Sequence, residues 1–491
     1  MLRKPKSMHP TELISNLRNF LPSESVLYEE EDLKPYECDG LSAYRQTPLI
    51  VVMPETEEEI IKILHVCNDS KTPVVARGAG TGLSGGALPH AKGILLSLTK
   101  LKKILEVDPI TRTARVQPGV RNLAISESAM AYGLYYAPDP SSQVACSIGG
   151  NIAENSGGVH CLKYGLTVHN ILKLRVITIE GECLEIGGAC FDTPGYDLLA
   201  LMTGSEGMLG IVTEITVKLL PKPEKAQVVM AAFDDIQMAG NAGANVIGAG
   251  IIPGGMEMMD KLTTRAVEEF VHAGYNLDAE AILLCESDGT EEEVADEIKR
   301  INEIMKKSGA VDIKTSHNET ERLTFWAGRK AAFPAAGRIS PDYYCMDGTI
   351  PRRNLARVLA GIEKLSIKYG LRCMNVFHAG DGNLHPLILY DANQPGELKK
   401  TEEFGAEILE MCIEVGGTIT GEHGVGIEKI NQMCSQFNTK ELEIFHAIKS
   451  AFDPDKLLNP GKAVPSLRRC AEHGAMHVHK NQEKFPDLPR F

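Results

Sequence analysis

The 491-residue chain has no apolar run able to cross a bilayer. Its longest uncharged stretch, Ile236 to Met256, holds six glycines, two asparagines and a proline, too little apolar surface for a spanning helix of ~20 residues. Basic excess is missing as well. The 51 Lys and Arg stand against 65 Asp and Glu, and the formal net charge of −14 argues against nucleic acid as a partner. The twelve cysteines contain no CxxC pair, which excludes a zinc ribbon, a thioredoxin-like pair and an iron–sulfur ligand run. MLRKPKSMHPTEL at the N-terminus lacks the apolar core of a secretory signal, so a cytoplasmic protein with reduced, buried cysteines is expected. Internal repeats and low-complexity segments are also absent. What is present, 43% hydrophobic and 24% charged residues, suits a globular chain of two or three domains.

Residues 1–45 read as a short helix, Pro10 to Phe20, and a connector. From Leu49 the pattern alternates: an apolar strand LIVVM, an acidic helix start at Glu57-Glu58-Glu59, then a strand PVVARG. Short strands between glycine-rich loops follow, predicting an α+β domain over residues 46–223. Its last run places Ile215, Val217 and Leu219 on one face and stops at Pro221-Lys222-Pro223. Longer helical patterns between strands, such as EEEVADEIKRINEIMKKSG, predict a second α+β domain over residues 224–462. The polar tail 463–491, with His473, His477 and His479, reads as a solvated terminus.

Three glycine clusters punctuate the first domain: Arg77-GAGTGLSGGA, Cys146-SIGGNIAENSGG and Thr203-GSEGMLGI. The first contains G-x-G-x-x-G, yet only ALPHAKG separates it from the next strand, leaving no room for the helix that a Rossmann site requires. NAD in such a fold is therefore rejected. Glycines also let successive backbone N–H groups converge around phosphate oxygens, and three such clusters would surround an extended ligand.

Asn375-Val-Phe-His378-Ala-Gly-Asp381-Gly382-Asn383-Leu-His385 reads as a hairpin turning at Asp-Gly. A two-residue turn makes His378 and His385 direct cross-strand partners, with Cβ atoms roughly 4.5–5.5 Å apart. They would share a metal ion or simply find polar partners. Glu422, in Gly421-Glu422-His423-Gly424, is the candidate third ligand; in an extended strand His423 would face elsewhere in the pocket. Two imidazoles and a carboxylate suit zinc, manganese or iron(II) alike.

Leu49 to Pro223 resembles the FAD-binding domain of the vanillyl-alcohol oxidase and p-cresol methylhydroxylase superfamily. Over nearly the whole chain, RGAGTGLSGGALP, YYAPDPSSQVACSIGGNIAENSGGVHCLKYGLTVHN, DYYCMDGTIPRR, NVFHAGDGN and RCAEHGAMHVH resemble the FAD-linked D-subunit family of bacterial glycolate oxidases. That resemblance implies a PCMH-type FAD domain and an α+β cap with an antiparallel sheet. It implies FAD contacts from Gly78, Ala79, Gly80, Thr81, Gly82 and Leu83. From the second cluster it adds Pro138, Ser142, Ser147, Gly149, Gly150 and Asn151, then Asn155 and Gly158. The third supplies Glu206, Gly210, Ile211 and Val212, and Phe452 to Lys462, a locally helical pattern, brings Asn459 to the ring. Thr81 stands where some relatives carry a flavin-linking His, so non-covalent FAD is expected, with Cys146 the only competing attachment point.

The resemblance also implies a divalent metal on His378, His385 and Glu422, with His423 as base. Arg329, in Phe325-Trp326-Ala-Gly-Arg329-Lys330, is implied as the clamp on a substrate carboxylate. Tyr343 and Tyr344 are candidates for substrate or flavin contact. The implied reaction is oxidation of glycolate, or D-lactate, by hydride transfer to flavin. Electrons would leave through a partner flavin-domain subunit and an iron–sulfur subunit to quinone at the inner membrane face. Competing readings are a D-lactate or other D-2-hydroxyacid dehydrogenase, a metallohydrolase of nucleotides, and a silent flavin-binding subunit.

Overall fold

The computed structural model describes residues 9–188, 194–466 and 469–470; Cys190 and the tail histidines His473, His477 and His479 lie outside them. The first helix, Pro10–Arg18, buries Leu13 and Leu17 and ends two residues before Phe20. It covers a four-stranded sheet in which Ile50–Val52, Ile94–Ser97 and Val74–Arg77 run parallel and Val26–Leu27 antiparallel. The acidic helix start is real: Thr56 and Glu59 form a reciprocal capping box on helix Glu57–Ser70. A five-stranded antiparallel sheet follows, ordered Ile104–Asp108, Thr113–Val116, Ile211–Lys218, Ile171–Ile177 and Cys183–Gly187. Strand Ile211–Lys218 alternates buried and half-buried residues, with Ile215 and Val217 in the core.

The second half is a seven-stranded antiparallel sheet whose centre is Lys225–Phe233, Ala281–Gly289, Gly255–Asp260, Cys373–His378 and Asn383–Tyr390. Both of its faces are covered. Val229, Ala231 and Phe233 pack under helices Ile236–Gly248, Glu291–Lys307, Leu355–Tyr369 and Glu397–Glu414. Val228, Met230 and Ala232 face helices Lys261–Val271, Glu319–Lys330 and Ala332–Ile339. Such double cover explains why Asn383–Tyr390 is buried at every position instead of alternating. The architecture is thus α+β, a mixed first half and an antiparallel cap.

Two expectations are corrected. The segment after Phe452 is not helical: helix Thr439–Phe452 ends where it begins. Asp453 accepts from the backbone of Leu457 at 3.0 Å and Leu458 at 2.7 Å, and Pro454 cannot continue a helix. Leu458 instead bridges Val74 in parallel, returning the chain to the first sheet. The cysteines are not all free either. Cys434 and Cys470, with Cα atoms 5.2 Å apart, form a disulfide that the 36-residue separation concealed.

Candidate active site

Bare backbone forms the first half of a cavity of about 440 Å³. Strand Val74–Arg77 delivers the first loop, and Gly78, Ala79, Gly80, Thr81, Gly82 and Leu83 all stand in the wall. Across from them Ser147 caps helix Ile148–Glu154, its Oγ accepting from Gly150 N at 3.4 Å. Ser142, Ser147, Gly149, Gly150 and Asn151 line that side, and Glu206 another. A Cβ on Gly78 would collide with Ser147 Oγ, so the two segments approach this closely only because the residue is glycine.

The other residues implied as FAD contacts stand outside this wall. The Pro138 carbonyl accepts from Asn122 Nδ2 at 3.0 Å, Asn155 ends its helix in the left-handed conformation, and Gly158 packs on Asp139. Gly210 packs on Val176, and Ile211 and Val212 pair with Ile177 and Val176 inside the five-stranded sheet. Asn459 braces two segments from behind, donating to the carbonyls of Gly86 at 3.0 Å and Glu206 at 2.7 Å. Glu154, quoted in the motif without a role, does line the cavity; burial and the neighbouring Glu206 push its pKa well above the usual carboxylate range.

The other half is a histidine hairpin whose register differs from the expected one. Val376 pairs with His385 and His378 with Asn383. The turn therefore spans four residues, 379–382. Gly382 takes a φ of +89° and Asp381 does not join it in that region. Instead, Asp381 Oδ1 accepts from Asn383 N at 3.0 Å, an Asx turn that replaces the type I′ geometry. His378 and His385 are diagonal neighbours on one sheet face, their rings meeting edge to face with centroids 5.0 Å apart.

Both imidazoles aim Nε2 at Glu422 Oε1, from 3.2 Å for His378 and 2.9 Å for His385. The three donor atoms lie within 4.8 Å of one another. Glu257, fully buried on the adjacent strand, accepts from His378 Nδ1 at 2.6 Å and so fixes which nitrogen faces Glu422. Burial opposes charge on His378, but Glu257 and Glu422 outweigh it and hold the pKa well above the ordinary value. Burial likewise disfavours ionised Glu422, yet hydrogen bonds from His378 and His385 hold its pKa well below the usual range.

Glu422 and His423 sit on a bent loop, not the extended strand expected. The carboxylate of Asp347, fully buried, accepts from the backbone N–H groups of Gly421 at 3.1 Å, Glu422 at 3.2 Å and His423 at 2.9 Å. Burial works against its ionisation, and His423 and Lys429 nevertheless keep its pKa below the ordinary value. The bend brings both side chains to the cavity: Glu422 meets the hairpin, and His423 stacks on His385 with centroids 5.0 Å apart. Burial drives the His423 pKa down to about 4, which leaves a neutral ring whose Nδ1 has no partner.

Comparison with known proteins decides the family. Residues 48–187 match the FAD binding domain, and residues 222–463 match the C-terminal domain of FAD linked oxidases. The glycolate oxidase subunit GlcD of Escherichia coli K12 is 63% identical over 481 residues, 98% of this chain and 96% of that protein. This chain belongs to the FAD-linked oxidase family. GlcD of Bacillus subtilis is 40% identical, over 87% of this chain and 91% of its own length, and a D-lactate dehydrogenase of Anaerostipes hadrus 32%, over 93% and 98%. The fold matches 4-ethylphenol oxidase from Gulosibacter chungangensis with a TM-score of 0.79 at 18% identity, over 95% of this chain and all of that one. The chain is thus an FAD-dependent oxidoreductase. Among the described residues no helix is long and apolar enough to cross a membrane.

In this FAD-linked oxidase Arg329 does not line the 440 Å³ cavity. It is 2% exposed, and its Nε donates to Glu257 Oε2 at 2.5 Å, so one carboxylate grips both Arg329 and His378. The neighbouring Lys330 lines the cavity, together with Phe333, Pro334 and Tyr343. Tyr344 turns away, its hydroxyl 3.2 Å from that of Tyr44. Trp326 donates to Glu286 at 2.5 Å and packs under the sheet. Sequence reasoning missed Glu257 and Asp347. Each acts across a long separation, 121 residues to His378 and 75 to Glu422; Glu257 sits in none of the quoted motifs, and Asp347 sits in DYYCMDGTIPRR, where nothing local marks its role.

Proposed function

We infer that this FAD-linked oxidase oxidises glycolate to glyoxylate as a subunit of a glycolate oxidase complex. The observation that carries the reading is one cavity walled on one side by glycine loops and on the other by His385, Glu422 and His423. The loops would hold FAD non-covalently, and His378, His385 and Glu422 would hold a divalent zinc, manganese or iron ion. That donor set fits: Glu257 fixes the His378 tautomer, and the Nε2 atoms of both imidazoles converge on Glu422 Oε1. When bound, FAD supplies a hydride acceptor at N5 and the metal supplies Lewis-acid polarisation of the substrate hydroxyl.

The protein's own residues do the rest. His423, neutral and stacked on His385, accepts the hydroxyl proton. Lys330, which lines the cavity, is the cation placed to meet the substrate carboxylate. Arg329, expected in that role, holds Glu257 through Nε and so positions His378. Residues 46–223 act as the FAD domain and residues 224–462 as the cap that brings metal and base. Electrons pass to a partner flavin-domain subunit and an iron–sulfur subunit, then to quinone at the inner membrane face.

D-lactate is the second reading, favoured by the D-lactate dehydrogenases among the relatives. One added methyl discriminates by only about 1–3 kcal/mol, so both acids are expected to react. The test is an anaerobic visible spectrum of the purified protein before and after glycolate, with D-lactate in parallel. Bleaching by glycolate supports the reading, bleaching by D-lactate alone moves it to the second acid, and a flavin that stays oxidised in metal-replete protein rejects both.

A further inference from the structure

Glu154, the last residue of helix Ile148–Glu154, stands in the cavity wall where the glycine side meets the histidine side. Two glycines make room for it. A Cβ on Gly86, in the first loop, would fall 2.5 Å from its Oε1, and one on Gly424, next to His423, only 2.0 Å from its Oε2. The carboxyl is thus wedged between the glycine loop and the loop that carries the proposed base. Its Oε2 is shut in and has no hydrogen-bond partner among the described residues, while the half-buried side chain as a whole lines the cavity.

Two neighbouring acids have the donors that Glu154 lacks. Glu206 accepts from Val425 N at 2.7 Å and Gly426 N at 2.8 Å, and Asp39 accepts from Leu41 N at 3.0 Å and Ala87 N at 3.3 Å. The lysines nearby are committed elsewhere. Lys462 donates to the Gly86 carbonyl at 3.0 Å and to Asn459 Oδ1 at 2.6 Å, and Lys429 donates to the Gly424 carbonyl at 2.9 Å. An enclosed carboxyl without donors, beside a second carboxyl, keeps its proton. Burial first, then Glu206 and Asp39, raise the Glu154 pKa well above the ordinary range against the pull of both lysines. Burial raises Glu206 as well, but its two backbone donors work the other way, so the proton of this pair belongs to Glu154.

A neutral carboxyl has one O–H to give. The anionic pyrophosphate of FAD suits the backbone N–H groups of the first loop, not a place beside the Glu206 carboxylate. Its reacting ring has to lie within reach of the acid that His423 deprotonates, which brings the ring to the Gly424 end, where Glu154 is. We propose that Glu154, as a carboxylic acid, donates a hydrogen bond to an acceptor atom of the isoalloxazine ring and thereby favours its reduced form. The position of the ring rests on the oxidase reading above. Charge gathers on the ring's acceptors as it is reduced, so a fixed donor there is stronger in the reduced state than in the oxidised one.

The test is the flavin midpoint potential of the loaded protein, read by dithionite titration against a reference dye, which needs no substrate. Glu154→Met removes the donor at similar size, and its equilibrium with the dye is expected to move about tenfold toward oxidised flavin, ~30 mV for two electrons. Glu154→Gln keeps an N–H donor and is expected to stay within about twofold of wild type. A shift of Glu154→Gln toward reduced flavin would mean that a negative charge had been removed and overturns the neutral donor, and wild-type potentials in both variants overturn the contact. An infrared difference spectrum, oxidised minus reduced, decides the case even where Glu154→Met binds no flavin. A protonated carboxyl band that shifts on reduction and is missing from Glu154→Gln supports the donor; its absence from wild type overturns it. Failure of the oxidase reading shows separately, as a flavin that dithionite reduces and no 2-hydroxy acid bleaches.

Discussion

The glycine wall and the histidine wall enclose one cavity by opposite means. On the glycine side, the wall comes from side chains left out: Gly78 reaches Ser147 because it has no Cβ, and much of the lining is main chain. The histidine side depends on side chains held in place with the help of two buried carboxylates from other elements. Glu257 holds His378 and Arg329 together, and Asp347 bends the loop that carries Glu422 and His423. Local sequence can encode an omission, since a glycine run is its own signal. A positioned imidazole needs a partner that the chain supplies from far away.

Substitutions should separate the two walls. The largest effect is expected from His423→Ala, which removes the proposed base: turnover falls by ~10²–10⁴-fold while flavin content, read from the visible spectrum, is kept. Unchanged turnover would remove His423 from the mechanism. Next, Glu257→Gln keeps the shape but weakens the hold on His378, and metal affinity measured by chelator competition should drop by ~10–100-fold with flavin content unchanged. Gly78→Ala attacks the other wall. It should lower bound flavin severalfold through the clash with Ser147, while metal affinity in the same protein stays at wild type. Loss of metal together with flavin would mean that the walls are not independent. The smallest effect belongs to Thr56→Ala, which removes the cap of helix Glu57–Ser70 far from both walls. It should cost about 1 kcal/mol in denaturant unfolding and leave flavin and metal binding untouched.

The resemblance carried by the long motifs anticipated the two-part α+β architecture, and the strand ending at Lys218 shows why alternation works: its one-sided burial repeats every second residue. Strand Asn383–Tyr390 shows where alternation stops helping, because helices cover both faces of its sheet and leave no polar phase to read. In the site, Gly78 to Leu83 and Glu206 stand in the wall, whereas Gly210, Ile211 and Val212, in the same glycine-marked stretch as Glu206, pack inside a sheet. Nearness in sequence to a loop does not distinguish lining it from supporting it. The hairpin was legible as a hairpin, but Asp381 used its own side chain to close the turn, which lengthened it and shifted the register by two residues.

What the sequence determined by itself is local: the glycine loops, the helix cap at Thr56, and the presence of two histidines and a Glu-His pair able to work together. Tertiary structure alone decided which nitrogen of His378 faces Glu422, which way the Glu422 loop bends, and that Arg329 shares Glu257 with the hairpin. The physical reason is range. A backbone conformation is set by a few neighbouring residues, whereas the direction of a buried charged side chain is set by the opposite partner it must find, and here those partners lie 72 to 121 residues away.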